Sequence, residues 1–247
     1  GINIEAIIDN REEIDSKLIK ETEKNNIKVY KGYTVVDTSG YKRVNKVSIM
    51  QLSKDGQKAI GPKISISCDC LGISGGWTPA VHLFTQSGGK LKFRDEDQVF
   101  IPNIYPSDQI SIGSCNGDFT LDEILSTVPK TLKEFLNLKK IDYEDLEIKS
   151  SFNKSKRNIW LLPSDKIIGK TKPFVDYQND ATAKDIKLAL REGFRSIEHV
   201  KRYTTTGMGT DQGKLGNMHA LGIISETAGS KMGELGTTTF RPPYTPL

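Results

Sequence analysis

The sequence predicts an α/β chain: part of a Rossmann-like, dinucleotide-binding type of module, followed by a small and mostly helical domain. Three observations carry this. The chain opens with β-α-β periodicity, β-rich runs broken by Gly-rich turns fill its middle, and short helices with an N-cap and a closing glycine fill its last third. The expected divisions are 1–135 for the partial dinucleotide-binding module, 136–170 for a connector and 171–247 for the helical domain.

Residues 4–8 form an apolar run that ends on Asp9-Asn10-Arg11, Ile14, Leu18 and Ile19 mark a helix-like stretch, and 27–30 read as a second strand. In dinucleotide-binding folds an acidic residue at a strand end faces the ribose, about 20 residues after a Gly-rich phosphate turn. Asp9 stands at that place without such a turn before it. The expectation is therefore a piece of a longer polypeptide.

Residues 44–52 and 63–73 are β-rich and flank a turn at Lys54-Asp55-Gly56, which predicts a hairpin. Cys68 and Cys70 put two thiols on one face of the second run, a strand pattern rather than a metal site, because no second Cys/His pair lies near. Ser74-Gly75-Gly76-Trp77-Thr78-Pro79 then makes a turn with a rigid exit. A strand is expected at 109–112, a Gly-rich turn at Gly113 and Gly117, and a helix from Thr120 with Asp122 and Glu123 in its first turn. Helix starts favour anions, so the turn reads either as cofactor-facing or as an ordinary tight turn. The connector is polar, with one short strand expected at 159–162.

In the last segment Thr182 is an N-cap with Asp185 three residues on, Ile186, Ala189 and Leu190 form a stripe, and Gly193 closes the helix. Ser196 caps a second helix with Ile197, Val200 and Tyr203 on its apolar side, closing at Gly207, and a third runs over 217–227 to Gly229. Lys201, Arg202, Thr204, Thr205, Thr206 and Lys214 crowd a Gly-rich turn. They suit an anion such as a flavin phosphate, or an acidic partner surface. The alternative is a helix end whose hydroxyls satisfy its carbonyls while its cations complement the dipole. His82, His199 and His219 read as packed or partly exposed histidines, since no acidic or nucleophilic partner is identifiable.

Composition bounds these readings. The 247 residues are 36% hydrophobic and 27% charged, as in a globular protein. A net charge of +4 from 35 basic and 31 acidic residues, mixed along the chain, argues against nucleic acid. No run approaches the roughly 18 apolar residues of a membrane helix. Three cysteines, an odd number, point to a reducing compartment. The expectation is a soluble, cytoplasmic protein without membrane or nucleic-acid partners.

The phrases SGGWTPAVHLF, FVDYQND, REGFRSIEHVKRYTTTGM, TDQGK and TTTFRPPYTP resemble the alpha subunits of heterotetrameric sarcosine oxidase, essentially from end to end. That resemblance implies a flavoprotein-reductase-type dinucleotide module, a small helical domain, and a folate-binding domain that would begin where this sequence stops. It implies a parent enzyme that oxidatively demethylates sarcosine with O2 and tetrahydrofolate, giving glycine, H2O2 and 5,10-methylenetetrahydrofolate. FAD and covalent FMN would lie on the beta subunit, with gamma and delta subunits completing the complex. NAD would lie on the alpha subunit, faced here by Gly113, Ser114, Gly117, Phe119 and Leu121, a partial site. Ser114-Cys115 stands where reductase relatives carry an Asp that holds a flavin ribityl chain, which suits NAD better than FAD.

The helical domain is also similar to a [2Fe–2S] domain of pattern C-x-C-x-x-V-T with G-M-G-x-C-Q-G-x-x-C. Its four cysteine positions fall here on Asp176, Gln178, Asp211 and Gly216, so no cluster is expected. The resemblance implies no catalytic residue in this piece and no activity for it alone. A subunit of a related amine, proline or opine dehydrogenase is the alternative. A free-standing NAD(P)-linked reductase is disfavoured, because G-x-G-x-x-G and C-x-x-C are missing.

Overall fold

A computed structural model describes residues 1–14, 16–106, 108–138, 158–164 and 171–238. The chain divides into two compact units, Gly1–Gly75 with Ile159–Lys172, and Gly76–Asn158 with Pro173–Leu247.

The first unit begins with β1 (Ala6–Asp9), α1 (Ser16–Lys24) and β2 (Lys28–Lys31), and β1 pairs parallel with β2. This is the β-α-β opening that the sequence predicts. Gly32, at φ +68°, then breaks the strand and lets β3 (Tyr33–Gly40) start a separate antiparallel sheet with β4 (Val44–Leu52) and β5 (Ala59–Ser67), in the order β3-β4-β5. Val36, Val47, Ile49 and Leu52 are its buried core.

Two expectations are corrected here. The strand after the hairpin runs earlier than 63–73 and ends at Ser67, so Cys68 and Cys70 lie beyond it, with Cys70 exposed. Sheet pairing decides this, since the β5 register runs from Ala59 opposite Leu52 to Ser67 opposite Lys46. Residues 159–162 carry no strand, for want of a pairing partner among the described residues. Most of the expected connector lies outside those residues.

The second unit contains α2 (His82–Gln86), the hairpin β6 (Lys90–Arg94) and β7 (Val99–Ile104), a 3₁₀ turn at Gly113–Asn116 and α3 (Leu121–Phe135). Residues 109–112 are not a strand: Ile112 is extended but unpaired, and the strand of this region is β7. α3 starts at the expected place on a complete capping box, in which Thr120 and Glu123 each bond the other's backbone N–H.

The same unit holds the hairpin β8 (Phe174–Asp176) and β9 (Ala181–Thr182), then α4 (Ala183–Arg191), α5 (Ile197–Thr204), α6 (Asn217–Ala228) and α7 (Met232–Leu235). Thr182 and Asp185 form a second capping box. Ile186, Ala189 and Leu190 of α4 pack with Val200 of α5 and Leu221, Ile223 and Ile224 of α6, all buried. α6 is apolar around most of its circumference, as a central helix must be. No helix among the described residues is long and apolar enough to cross a membrane.

Candidate functional site

The helical region is closed by two loops that the core holds against each other: 177–180 of the β8-β9 hairpin, and 205–216 between α5 and α6. Backbone strain concentrates there. Among the described residues six non-glycines have positive φ, and Asp180 (+53°), Thr205 (+59°) and Gln212 (+51°) belong to these two loops. Asp tolerates this region, whereas a β-branched residue such as Thr205 does not adopt it readily. Gly207 and Gly213, also at positive φ, leave room for Asn217. A Cβ on Gly207 would lie 2.4 Å from Asn217 Oδ1, and one on Gly213 2.2 Å from it. Asn217 is buried and donates through Nδ2 to Thr238 Oγ1 at 2.8 Å.

Three side chains of the cage accept hydrogen bonds from its N–H groups. Asp176, 6% exposed, accepts at Oδ1 from the N–H groups of Gln178 and Asn179, both at 2.9 Å. At Oδ2 it accepts from Asn179 Nδ2 at 3.2 Å and from the N–H of Gly207 at 2.7 Å. Burial pushes its pKa up, but the N–H donors of Asn179, Gly207 and Gln178 together outweigh burial and hold the carboxyl below the usual range. Gln178 Oε1 accepts from the N–H of Thr210, and its Nε2 donates to Thr210 Oγ1. Asp211 accepts from the N–H groups of Gly213 and Leu215, both at 3.3 Å. Asp176 and Gln178 of the hairpin and Asp211 and Gly216 of the α5-α6 loop line one cavity of about 40 Å³ together with Val175, Tyr177, Gly213 and Leu215.

The hydroxyls of Thr204 and Thr206 are internal. They lie 2.7 Å from each other in the buried interior, and Thr204 also donates to the Val200 carbonyl at 2.8 Å. Thr205 is exposed. Its hydroxyl donates to the Thr204 carbonyl at 2.6 Å, and its own carbonyl accepts from Asn179 Nδ2 at 3.2 Å. Arg202 is exposed, donates to the Glu198 carbonyl at 3.0 Å and pairs with the Glu198 carboxylate at the same distance. Lys201 and Lys214 are half-buried. Burial, aided by the charge of Lys214, pushes the His82 pKa down. His199 is exposed with its ring 6.5 Å from that of Phe194, and His219 is half-buried.

At the other Gly-rich turn, Gly113 (φ +67°) and Gly117 (φ +89°) are buried, Ser114 and Leu121 exposed and Phe119 half-buried. Arg94, paired with Asp97, donates to the Gly117 carbonyl at 2.8 Å. A Cβ on Gly117 would strike Arg94 and Ile101, so glycine is required there. Glu123 Oε2 accepts the N–H groups of Phe119 (3.2 Å) and Thr120 (3.3 Å). Among the described residues, Asp122 Oδ1 is a buried atom without a hydrogen-bond partner.

Sequence reasoning passed over Asn179, Asn217, Tyr177, Met208 and Leu215. Asn179 carried a local signal, as it follows an Asp that closes a turn. The others acquire their roles only through residues about ten to thirty positions away.

Residues 170–247 match the family described as the sarcosine oxidase A3 domain. The chain is 32% identical to the sarcosine oxidase subunit alpha of Corynebacterium sp. (strain P-1), over 98% of this chain and 26% of that protein. It is 36% identical to the subunit of the same name from Rhizobium meliloti (strain 1021), over 86% of this chain and 22% of that one. It thus spans about a quarter of the length of the curated relatives it matches. The fold is similar to that of L-proline dehydrogenase from P. horikoshii, with a TM-score of 0.59 at 19% identity, over 98% of this chain and 48% of that one.

Proposed function

The chain belongs to the sarcosine oxidase alpha subunit family through a segment about a quarter of its relatives' length, and on that premise we propose that it is a structural, partner-facing and NAD-facing part of such a subunit. The parent complex would oxidatively demethylate sarcosine to glycine with O2 and tetrahydrofolate, producing H2O2 and 5,10-methylenetetrahydrofolate. Its beta subunit would carry FAD and FMN, and gamma and delta subunits would complete it. The observation that carries this reading is 32% identity sustained over 98% of the chain.

The residues fit the proposed groups unequally. NAD at the turn of Gly113, Ser114, Gly117, Phe119 and Leu121 is supported by Asp122 Oδ1, since a ribose hydroxyl would supply the donor that this buried atom lacks. NAD bound there would serve as a hydride carrier in principle, and the residues of this chain would only bind and orient it. An iron–sulfur cluster does not fit. Asp176, Gln178 and Asp211 are engaged with N–H groups, and a Cβ on Gly216 would lie 2.5 Å from the Val175 carbonyl oxygen. We therefore read the helical region as a cluster-less relative of [2Fe–2S] domains.

A flavin phosphate at the loop would have to rely on the side chains of Lys201, Arg202, Thr205 and Lys214. The N–H groups of Gly207, Thr210, Gly213 and Leu215 are already satisfied from within, and the negative end of α5 lies beside them. A partner-subunit surface suits those cations better. The test is Lys201→Ala with Arg202→Ala in the full-length subunit, reconstituted with its partners. We expect subunit affinity to fall several-fold with flavin content and the thermal stability of the free subunit unchanged. Unchanged affinity would leave Lys201 and Arg202 as ordinary helix-end cations.

A further inference from the structure

We propose that Cys68 and Cys70 form a dithiol that a hydroperoxide closes, reversibly, to a disulfide. Only the source of that oxidant rests on the function proposed above, in which the parent complex would release H2O2.

The end of a strand places the two thiols together. The β5 ladder stops at Ser67, and one further bond, from the Cys68 N–H to the Asn45 carbonyl at 3.2 Å, holds Cys68 beside β4. The chain then bends at the exposed Asp69 and leaves the ladder. Cys68 is half-buried and Cys70 exposed, so one thiol is shielded and the other is open to a solute.

Covalent geometry keeps the pair within reach. Residues two apart have Cα atoms no more than roughly 7 Å apart even in a fully extended chain. A disulfide spans about 4.4–6.8 Å between Cα atoms, and the bend at Asp69 draws the pair inward from the extended limit. Little holds the backbone against closure. Residues 68–81 join no helix or strand, and a Cβ added at Gly72 or Gly76 would meet nothing within 4 Å. Neither cysteine belongs to the buried core, so the ring closes without disturbing it.

Cys115 is the contrast. It lies in the second unit, and its Sγ donates to the Ile112 carbonyl at 2.9 Å. Among the described residues no such bond occupies the sulfur of Cys68 or Cys70. A metal ion is a poorer occupant, because no group of three or more His, Cys, Asp and Glu side chains suited to a metal exists among the described residues.

The chemistry is a two-electron oxidation of two thiols. The Cys70 sulfur, as thiolate, attacks one oxygen of the hydroperoxide. The O–O bond breaks, the leaving oxygen takes a proton to depart as water or alcohol, and Cys70 becomes a sulfenic acid. The Cys68 sulfur then displaces the sulfenic hydroxyl, which leaves as water with the Cys68 proton as the S–S bond forms. A thiol reductant reverses the closure by exchange.

The full-length subunit is treated with hydrogen peroxide, its free thiols are alkylated, and residues 68–70 are mapped by mass spectrometry. We expect a peptide lighter by two hydrogen atoms with both cysteines protected, and dithiothreitol should return both to alkylation. Cys115 should stay alkylatable throughout. Cys68→Ser should let dimedone trap a sulfenic acid on Cys70, and Cys70→Ser should leave Cys68 unoxidised after the same exposure. If both wild-type cysteines remain alkylatable, or if either pairs with Cys115 or with a second chain, the proposal is overturned. Protection of the untreated pair by a metal ion that a chelator removes would overturn it equally. A disulfide formed by added peroxide, in a complex that makes none from sarcosine, upholds the dithiol and sets aside the parent reaction.

Discussion

The two Gly-rich turns solve one problem in opposite ways. At 113–120 the N–H groups ahead of α3 are satisfied by Thr120 and Glu123, three residues apart in sequence. At 205–216 those of Gly207 and Thr210 are satisfied by Asp176 and Gln178, about thirty residues earlier. At the first turn the helix start is capped locally, and one longer-range bond, from Arg94 of β6 to the Gly117 carbonyl, adds to it. The second exists only when the β8-β9 hairpin is docked, so its geometry and that of the cavity rise and fall together.

The comparison is broken most severely at Asp176. Replacing it by Ala leaves several N–H donors without an acceptor, and we expect a loss of about 3 kcal/mol in denaturant unfolding. A cost below that of an ordinary helix cap would show that the two turns do not differ. The pH dependence gives a second reading. The folded-state pKa of Asp176 is depressed, so its contribution is present above the unfolded carboxyl value and is lost as pH falls through the folded one. Stability of the wild type should therefore drop on acidification below about pH 4, and Asp176→Asn should remove part of that slope.

A smaller effect is expected at the local turn. Thr120→Ala deletes one half of the α3 capping box and should cost about 1 kcal/mol by the same measurement. Its effect should be confined to α3, with hydrogen exchange at Gly207 and Thr210 unchanged.

The smallest change has the opposite sign. Thr205 caps α5 at φ +59°, a conformation that costs a β-branched residue more than it costs glycine. Thr205→Gly should raise stability by about 0.5 kcal/mol, the relief being partly offset by the greater freedom of glycine in the unfolded chain. A decrease would mean that the bond from Asn179 to the Thr205 carbonyl depends on the threonine side chain.

Much of the local structure was legible in the sequence. The β-α-β opening, β4, the starts of α3 and α4, and the Gly229 terminus of α6 follow from periodicity, capping residues and glycine, because each depends on neighbours a few positions away. Strands whose existence depends on a partner were harder to place. β3, β6 and β7 do not stand out from the local pattern, β5 lies earlier than that pattern predicts, and the stretches at 109–112 and 159–162 have a strand-like pattern without forming strands. A strand is defined by its ladder, and a ladder is not encoded in one segment.

The site divides along the same line. By itself the sequence determined that hydroxyls, cations and glycines would gather between α5 and α6, while the grouping of Asp176, Gln178, Asp211 and Gly216 came from the resemblance to a [2Fe–2S] domain. Only the tertiary structure decided which of those groups face inward. Thr204 and Thr206 bond each other in the interior, Thr205 is left outside, and the cage side chains turn their polar atoms to backbone N–H groups so that an apolar cavity remains. The physical reason is that a buried donor must find an acceptor wherever the fold places one. Which acceptor it finds depends on the docking of a hairpin thirty residues away.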